Sequence, residues 1–130
     1  MSTIFSKIIS RELPSYIVAE EKNHIAILDI FPVAYGHVLV FPKKEVDYIF
    51  DLSSKDYIAF FQFAKKVSKA MKKVILCKKI GIAVVGLEVS HAHIHLVPIN
   101  NVSDMNFEKK KLKFSTNKMS QIAKKISLVI

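Results

Sequence analysis

Three of the five histidines fall in one run, His91-Ala92-His93-Ile94-His95, followed by Leu96-Val97-Pro98. Side chains alternate along a strand, so a strand here puts His91, His93 and His95 on one face and Ala92, Ile94 and Leu96 on the other. Neighbouring Cα atoms on that face lie about 6.6–6.8 Å apart. A neutral imidazole is a nucleophile near neutral pH, and a protonated one donates two hydrogen bonds to phosphate oxygens. The row therefore suits phosphoryl transfer, one ring attacking phosphorus while its neighbours hold the non-bridging oxygens. A metal site is the rival, because a His-x-His pair on a strand can grip zinc. His91 and His95 are about 13 Å apart along a strand, too far for all three to converge on one ion, but a pair plus His37 could. A structural or non-catalytic binding role is the third alternative, and the residues alone leave all three open.

Two further side chains could join this chemistry. His37 follows Gly36 at the start of a strand and is a candidate to orient a catalytic ring. Asp29 ends an apolar strand before Ile30-Phe31-Pro32. It reads either as a turn-forming aspartate or as a carboxylate accepting hydrogen bonds from a ribose diol. His24 sits in a polar turn without a partner in sequence and is expected at the surface.

The elements that must hold these residues are legible from periodicity. A short N-terminal helix is predicted over 3–9, capped by Ser2 or Thr3. Strands are predicted at 16–19, 24–30, 37–41, 80–85 and 91–97. The longest helix is predicted over 53–75, with Tyr57, Phe60, Phe61, Ala64, Val67, Met71 and Val74 at the helical period. A last helix is predicted over 115–129, with Met119, Ile122, Ala123 and Ile126 inward. Five strands joined by hairpins, with two or three helices, indicate an α+β fold on an antiparallel sheet.

The chain of 130 residues, 51% hydrophobic and 24% charged, has the length and composition of one globular domain, expected to span 1–130. Its one cysteine, Cys77, excludes an internal disulfide and a multi-cysteine zinc site, and suits a reducing, cytoplasmic compartment. No apolar run is long enough for a signal peptide or a membrane span. The net charge is +9, yet Arg11 is the one arginine among 20 basic residues. Nucleic-acid readers favour arginine for bidentate contacts, so nucleic acid is not the expected partner. Residues 104–113 are the most polar stretch and include Lys109, Lys110, Lys111 and Lys113. They read as a solvated loop, or as a lid or phosphate-attracting edge.

The run from His91 to Val97 resembles the histidine triad signature, His-φ-His-φ-His-φ-φ. The segments IFSKIISRELPSYIVAEE (residues 4–21) and LDIFPVAYGHVLVFPKKEV (residues 28–46) are similar to further parts of the same family, so the resemblance runs along nearly the whole chain. It is closest to the bacterial, nucleoside-phosphoramidase-like branch.

The resemblance implies a HIT fold with a five-stranded antiparallel sheet, a long central helix, a short N-terminal helix and a C-terminal helix. It implies a hydrolase or transferase acting on the α-phosphate of a purine nucleotide, with His93 as the nucleophile; the alternatives are a non-catalytic, regulatory nucleotide-binding protein and a dinucleoside polyphosphate hydrolase. His91 and His95 would orient His93 and contact the phosphate, with His37 in support. Asp29 would hold the ribose hydroxyls, and Phe5, Ile8, Leu13, Ile27 and Ile30 would line the base pocket. It further implies a homodimer, and no metal or cofactor for the covalent step.

The segment before the triad departs from the family pattern. Val84-Val85-Gly86-Leu87-Glu88-Val89-Ser90 lacks the Asn and Gln that most members carry there. Glu88 would place negative charge near an anionic substrate unless it points away or meets a cationic leaving group. Ser90 is expected on the face opposite His91.

Overall fold

The computed structural model describes residues 3–130. The chain begins with α1 (Ile4–Ile9), capped by Thr3, whose hydroxyl accepts from the Ser6 N–H while the Ser6 hydroxyl accepts from the Thr3 N–H. This reciprocal pair satisfies two amides that a one-and-a-half-turn helix cannot satisfy itself. Ser2, the other cap candidate, lies outside the described residues. Arg11, in the left-handed region at φ 68°, ends the helical segment, and its guanidinium pairs with Glu20 at 2.5 Å.

Strands β1 (Ile17–Glu20), β2 (His24–Leu28), β3 (Val38–Pro42), β4 (Lys79–Ala83) and β5 (Ile94–Ile99) form one sheet of order β1-β2-β3-β5-β4. Every neighbouring pair is antiparallel. Helix α2 (Ser54–Val74) is capped by Ser53, and α3 (Thr116–Ser127) by Ser115. The architecture is the expected α+β fold. The element bounds differ from those expected in two places that matter for the site: Leu28, not Ile30, ends β2, and β5 runs from Ile94 to Ile99 rather than from His91 to Val97.

Residue parity sorts the strands onto two cores. Val18, Ala26, Leu28, Val38, Val40, Ile94 and Leu96 pack beneath α2 and α3. Ile25, Ile27, Leu39 and Phe41 face the other way and pack with Phe5 and Ile8 of α1. Both faces of β2 and β3 are thus covered, which is why these strands read as unbroken apolar runs. Phe5 stacks on Phe41 at 4.4 Å and fixes α1 against the sheet.

The expectation for His24 is corrected here. It is buried, stacked against Phe60 at 5.7 Å and Phe63 at 5.6 Å, with Nδ1 2.6 Å from Glu21. It opens β2 with the parity of Ala26 and Leu28, so it faces α2. Among the described residues, no helix is long and apolar enough to cross a membrane.

Candidate active site

The same parity assembles a polar cluster on the α1 face. Asp29 continues the series Ile25, Ile27; His37 precedes Leu39, Phe41; and His95 pairs with Leu39 across β3 and β5. Gly36, at φ +82°, turns the chain into β3 so closely that a Cβ there would overlap the Ile75 side chain. The turn is closed by Asp29 N–H donating to the His37 carbonyl at 3.0 Å. Asp29 and His37 are thus held side by side at the mouth of one hairpin, next to His95.

The expected row of three rings on one regular strand face does not form. Because β5 begins at Ile94, the chain through His91 and His93 follows another path, with the Ala92 N–H donating to the Val46 carbonyl at 2.6 Å. His91 turns fully inward. Its Nε2–H donates to the Pro42 carbonyl at 2.7 Å, and its Nδ1 lies 3.3 Å from the Thr3 hydroxyl, which donates to it. Phe5 and Phe41 flank the ring edge-on, each at 5.7 Å. With 0% exposure and both nitrogens engaged, this ring cannot contact a phosphate. What His91 offers the site is its carbonyl.

That carbonyl accepts from His93 Nδ1–H at 2.8 Å. The proton is thereby fixed on Nδ1, and Nε2 keeps its lone pair. The His93 ring lies 4.9 Å from Phe5 and 5.0 Å from His95. Burial holds its pKa below the usual histidine value, the His91 carbonyl working in the opposite direction.

A second hydrogen-bond chain fixes the other rings. The Val33 N–H donates to His37 Nδ1 at 3.1 Å, so that nitrogen is unprotonated and the proton sits on Nε2. His37 Nε2–H then donates to His95 Nδ1 at 3.0 Å, which places the His95 proton on Nε2, away from His37. Burial lowers His37 to about 3 and His95 to about 4, so both rings are neutral near pH 7. Asp29 Oδ1 accepts from the Phe31 N–H at 2.8 Å, and Oδ2 lies 3.6 Å from His37 Nε2. Burial raises this carboxyl to about 6.

Asp29, His37 and His95 are also the described residues best placed to hold a metal ion, their ligand atoms lying within 4.8 Å of one another. Tetrahedral zinc with nitrogen ligands would set its ligand atoms about 3.3 Å apart, near the His37–His95 and His37–Asp29 separations of 3.0 and 3.6 Å. Protonation argues against the fit. A metal on His37 Nε2 would move the proton to Nδ1, directly against the Val33 N–H. The hydrogen bonding of His37 therefore does not fit zinc.

Of the expected base-pocket residues, Phe5, Ile8 and Ile27 lie together in the α1 core. Leu13 and Ile30 are exposed, and neither belongs to that cluster. A cavity of about 480 Å³ lies elsewhere. It is lined by Tyr48, Phe50, Tyr57, Phe61 and Leu87, and meets the triad only at Ala92. Sequence reasoning missed Thr3 as a partner of His91 and Val33 as the group that sets the His37 tautomer. It also missed Phe107, whose ring lies 4.6 Å from His95 and 6.0 Å from His37. No pattern of residue types marks a backbone amide, but the apolar Phe107 within the polar stretch was a visible signal.

Residues 10–102 match the HIT domain family. A HIT-like protein of Borreliella burgdorferi is 33% identical over 135 aligned positions, covering 98% of this chain and 97% of that protein. The adenosine 5′-monophosphoramidase of Saccharomyces cerevisiae is 37% identical over 97 positions, 73% of this chain and 61% of that enzyme. Among solved structures, a HIT-like protein of Bartonella henselae superposes with a TM-score of 0.86 at 29% identity, covering 99% of this chain and 96% of that one.

Proposed function

The chain belongs to the HIT domain family, and we propose that within this nucleotide hydrolase and transferase family it cleaves purine nucleoside 5′-phosphoramidates or related nucleotidyl conjugates through a covalent nucleotidyl-His93. The observation that carries this reading is the 2.8 Å bond from His93 Nδ1–H to the His91 carbonyl, which leaves Nε2 as a free nucleophile beside His95. Two relatives bearing the name adenosine 5′-monophosphoramidase support the choice of leaving group.

In the proposed reaction His93 Nε2 attacks the α-phosphorus in line. The Nε2–P bond forms, the P–N bond to the leaving group breaks, and the departing nitrogen takes up a proton. The Nδ1–H···O=C bond strengthens as positive charge develops on the ring. His95 Nε2–H donates to a non-bridging oxygen, and His37 keeps that proton on Nε2. Water then attacks phosphorus from the opposite side, the Nε2–P bond breaks, and the nucleoside monophosphate leaves as one proton returns to solvent. Asp29 accepts from the ribose hydroxyls, while Phe5, Ile8 and Ile27 supply an apolar wall for the base. His91 acts through its carbonyl and is a positioning residue.

His93→Ala should lower turnover of adenosine phosphoramidate at least about 10³-fold while AMP binding survives. Acid quenching of the wild type should trap a nucleotidyl-enzyme that the variant does not form. Wild-type turnover in the variant sinks the nucleophile assignment. Turnover lost to a chelator and restored by zinc would favour the metal reading instead.

We also propose a homodimer in the cytoplasm. Strand β4 is an edge with an unpaired row of backbone groups, and Ile82, Val84, Val85 and Leu87 beside it are exposed. A second copy pairing antiparallel with β4 would satisfy that edge about a two-fold axis. Ile82→Glu should convert the dimer to monomer in analytical ultracentrifugation, and a wild-type monomer at micromolar concentration refutes the assembly.

A further inference from the structure

The hydrogen bonds of the site leave it short of positive charge. His37 accepts at Nδ1 from the Val33 N–H, and His95 accepts at Nδ1 from the His37 N–H, so each ring carries one proton and no charge. His91 accepts likewise from the Thr3 hydroxyl. The Asp29 carboxylate makes the deficit larger, since its Oδ2 lies 3.6 Å from His37 Nε2 within the site. A nucleotide phosphate needs compensating charge that this row does not supply.

The segment after β5 brings one. It makes a single tight turn, Val102–Met105, braced by the Asp104 carboxylate, which accepts the N–H groups of Asn100 at 2.7 Å and Asn101 at 3.0 Å. The chain then crosses to the Asp29 hairpin, where the Leu112 N–H donates to the Pro32 carbonyl at 2.8 Å. Between these two anchors the Phe107 ring lies on His95 at 4.6 Å. Phe5 stands at the His93 end of the ring series and Phe107 at the His95 end. At Phe107 the strap is therefore a wall of the site, while residues 110–113 remain exposed to solvent. Lys111 donates one ammonium N–H to the Phe107 carbonyl, which ties its head group to that wall. Two N–H groups remain. The next residue, Leu112, is the one bonded to Pro32 beside the Asp29 hairpin, so Lys111 sits between that anchor and the Phe107 ring on His95, and its positive charge works to lower the pKa of Asp29, His37 and His95.

We infer that Lys111 is a phosphate-binding residue of this site, delivered by the Phe107 strap to supply the positive charge that the neutral histidine row lacks. The inference rests on the nucleotide reading given above, and adds to it a cation contributed from beyond the triad.

The test is the affinity of AMP compared with adenosine, measured by calorimetry on the full chain. Charge-assisted hydrogen bonds to phosphate are strong enough that Lys111→Ala should raise the AMP Kd about tenfold. Adenosine, which has no phosphate, should bind within about twofold of wild type. Lys111→Arg should restore most of the loss, and Lys110→Ala, at an exposed neighbour, should change neither ligand. Unchanged AMP affinity in Lys111→Ala overturns the inference, as does an equal weakening of AMP and adenosine. A wild type that binds neither ligand overturns the nucleotide reading and the inference with it. AMP binding without any phosphoramidate turnover counts against the proposed reaction alone and leaves Lys111 standing.

Discussion

His91 and His95 occupy the two ends of one run of residues, yet they stand in opposite kinds of surroundings. His91 is sealed between Phe5 and Phe41 and spends both nitrogens on the fold, one on the Pro42 carbonyl and one on the Thr3 hydroxyl. His95 spends one nitrogen on another histidine and keeps an N–H for a ligand. The difference comes from where β5 begins. His95 is inside the strand and takes the parity of the α1 face, whereas His91 lies before it and is folded inward. Equal spacing of one residue type therefore does not imply equal function, because the hydrogen-bond partners at each position decide.

The comparison is broken most directly by removing each ring in turn. His91→Ala leaves a buried carbonyl and hydroxyl unpaired and a hole between two phenylalanines, which should cost about 3–4 kcal/mol of stability. His95→Ala leaves one buried N–H of His37 without its partner and should cost about 1–2 kcal/mol. Turnover should order the other way once the fraction folded is corrected for, with His95→Ala losing about 10²-fold. Urea melts and single-turnover rates on both variants check this. Equal stability losses would show that the two ends are alike after all.

Much of the frame could be read before any coordinates. The helical period of Phe60, Ala64, Val67 and Met71 and the apolar runs of β2 and β3 specify the layers. Asp29, His37 and His95 were legible as residues that could meet. The fate of His91 was not, because it turns on a strand boundary, and the Ala92 to Val46 bond that redirects the chain links backbone atoms with no signature in residue type. His24 failed for a related reason. Its polar neighbours suggested a turn, while its parity with Ala26 and Leu28 placed it beneath α2. The Val33 amide, which settles two tautomers, belongs to a residue that looks purely apolar.

A pH series sharpens the same contrast. Burial lowers all three rings of the triad and His37, so below the ordinary histidine value the unfolded chain binds protons that the native state refuses. Stability should therefore fall as pH drops from about 6.5 toward 4. Asp29 acts in the opposite sense, because its raised pKa of about 6 means the native carboxyl holds a proton longer than the unfolded one. Its contribution is lost as pH rises from about 4 to 6. The histidines outnumber it, so the melting temperature should decline on acidification, and Asp29→Asn should steepen the decline. In turnover, the acid limb near pH 6 should be that of Asp29, since the carboxylate form is the better acceptor for a ribose hydroxyl. Asp29→Asn should lower kcat/KM and move the remaining limb below pH 6. An unmoved limb would assign it to another group.

The smallest expected effect tests whether the His91 end is coupled to the chemistry at all. The Thr3 hydroxyl serves two masters, accepting from the Ser6 N–H at the head of α1 and donating to His91 Nδ1. Thr3→Ala removes both bonds and should cost about 1 kcal/mol, visible as a melting temperature lowered by about 3–5 °C for a chain of this size. Thr3→Ser keeps the hydroxyl and should recover most of the loss. The position of His93 depends on the His91 carbonyl, not on its ring, and that ring remains clamped by Pro42, Phe5 and Phe41. Turnover by Thr3→Ala below its melting transition should therefore stay within about threefold of wild type, because a lost neutral hydrogen bond away from the reacting atoms is worth about 1 kcal/mol or less. A drop of about 10²-fold with the melting temperature unchanged would mean that His91 relays its hydrogen bonding into the reaction, and the division between a structural and a chemical end of the histidine run would fail.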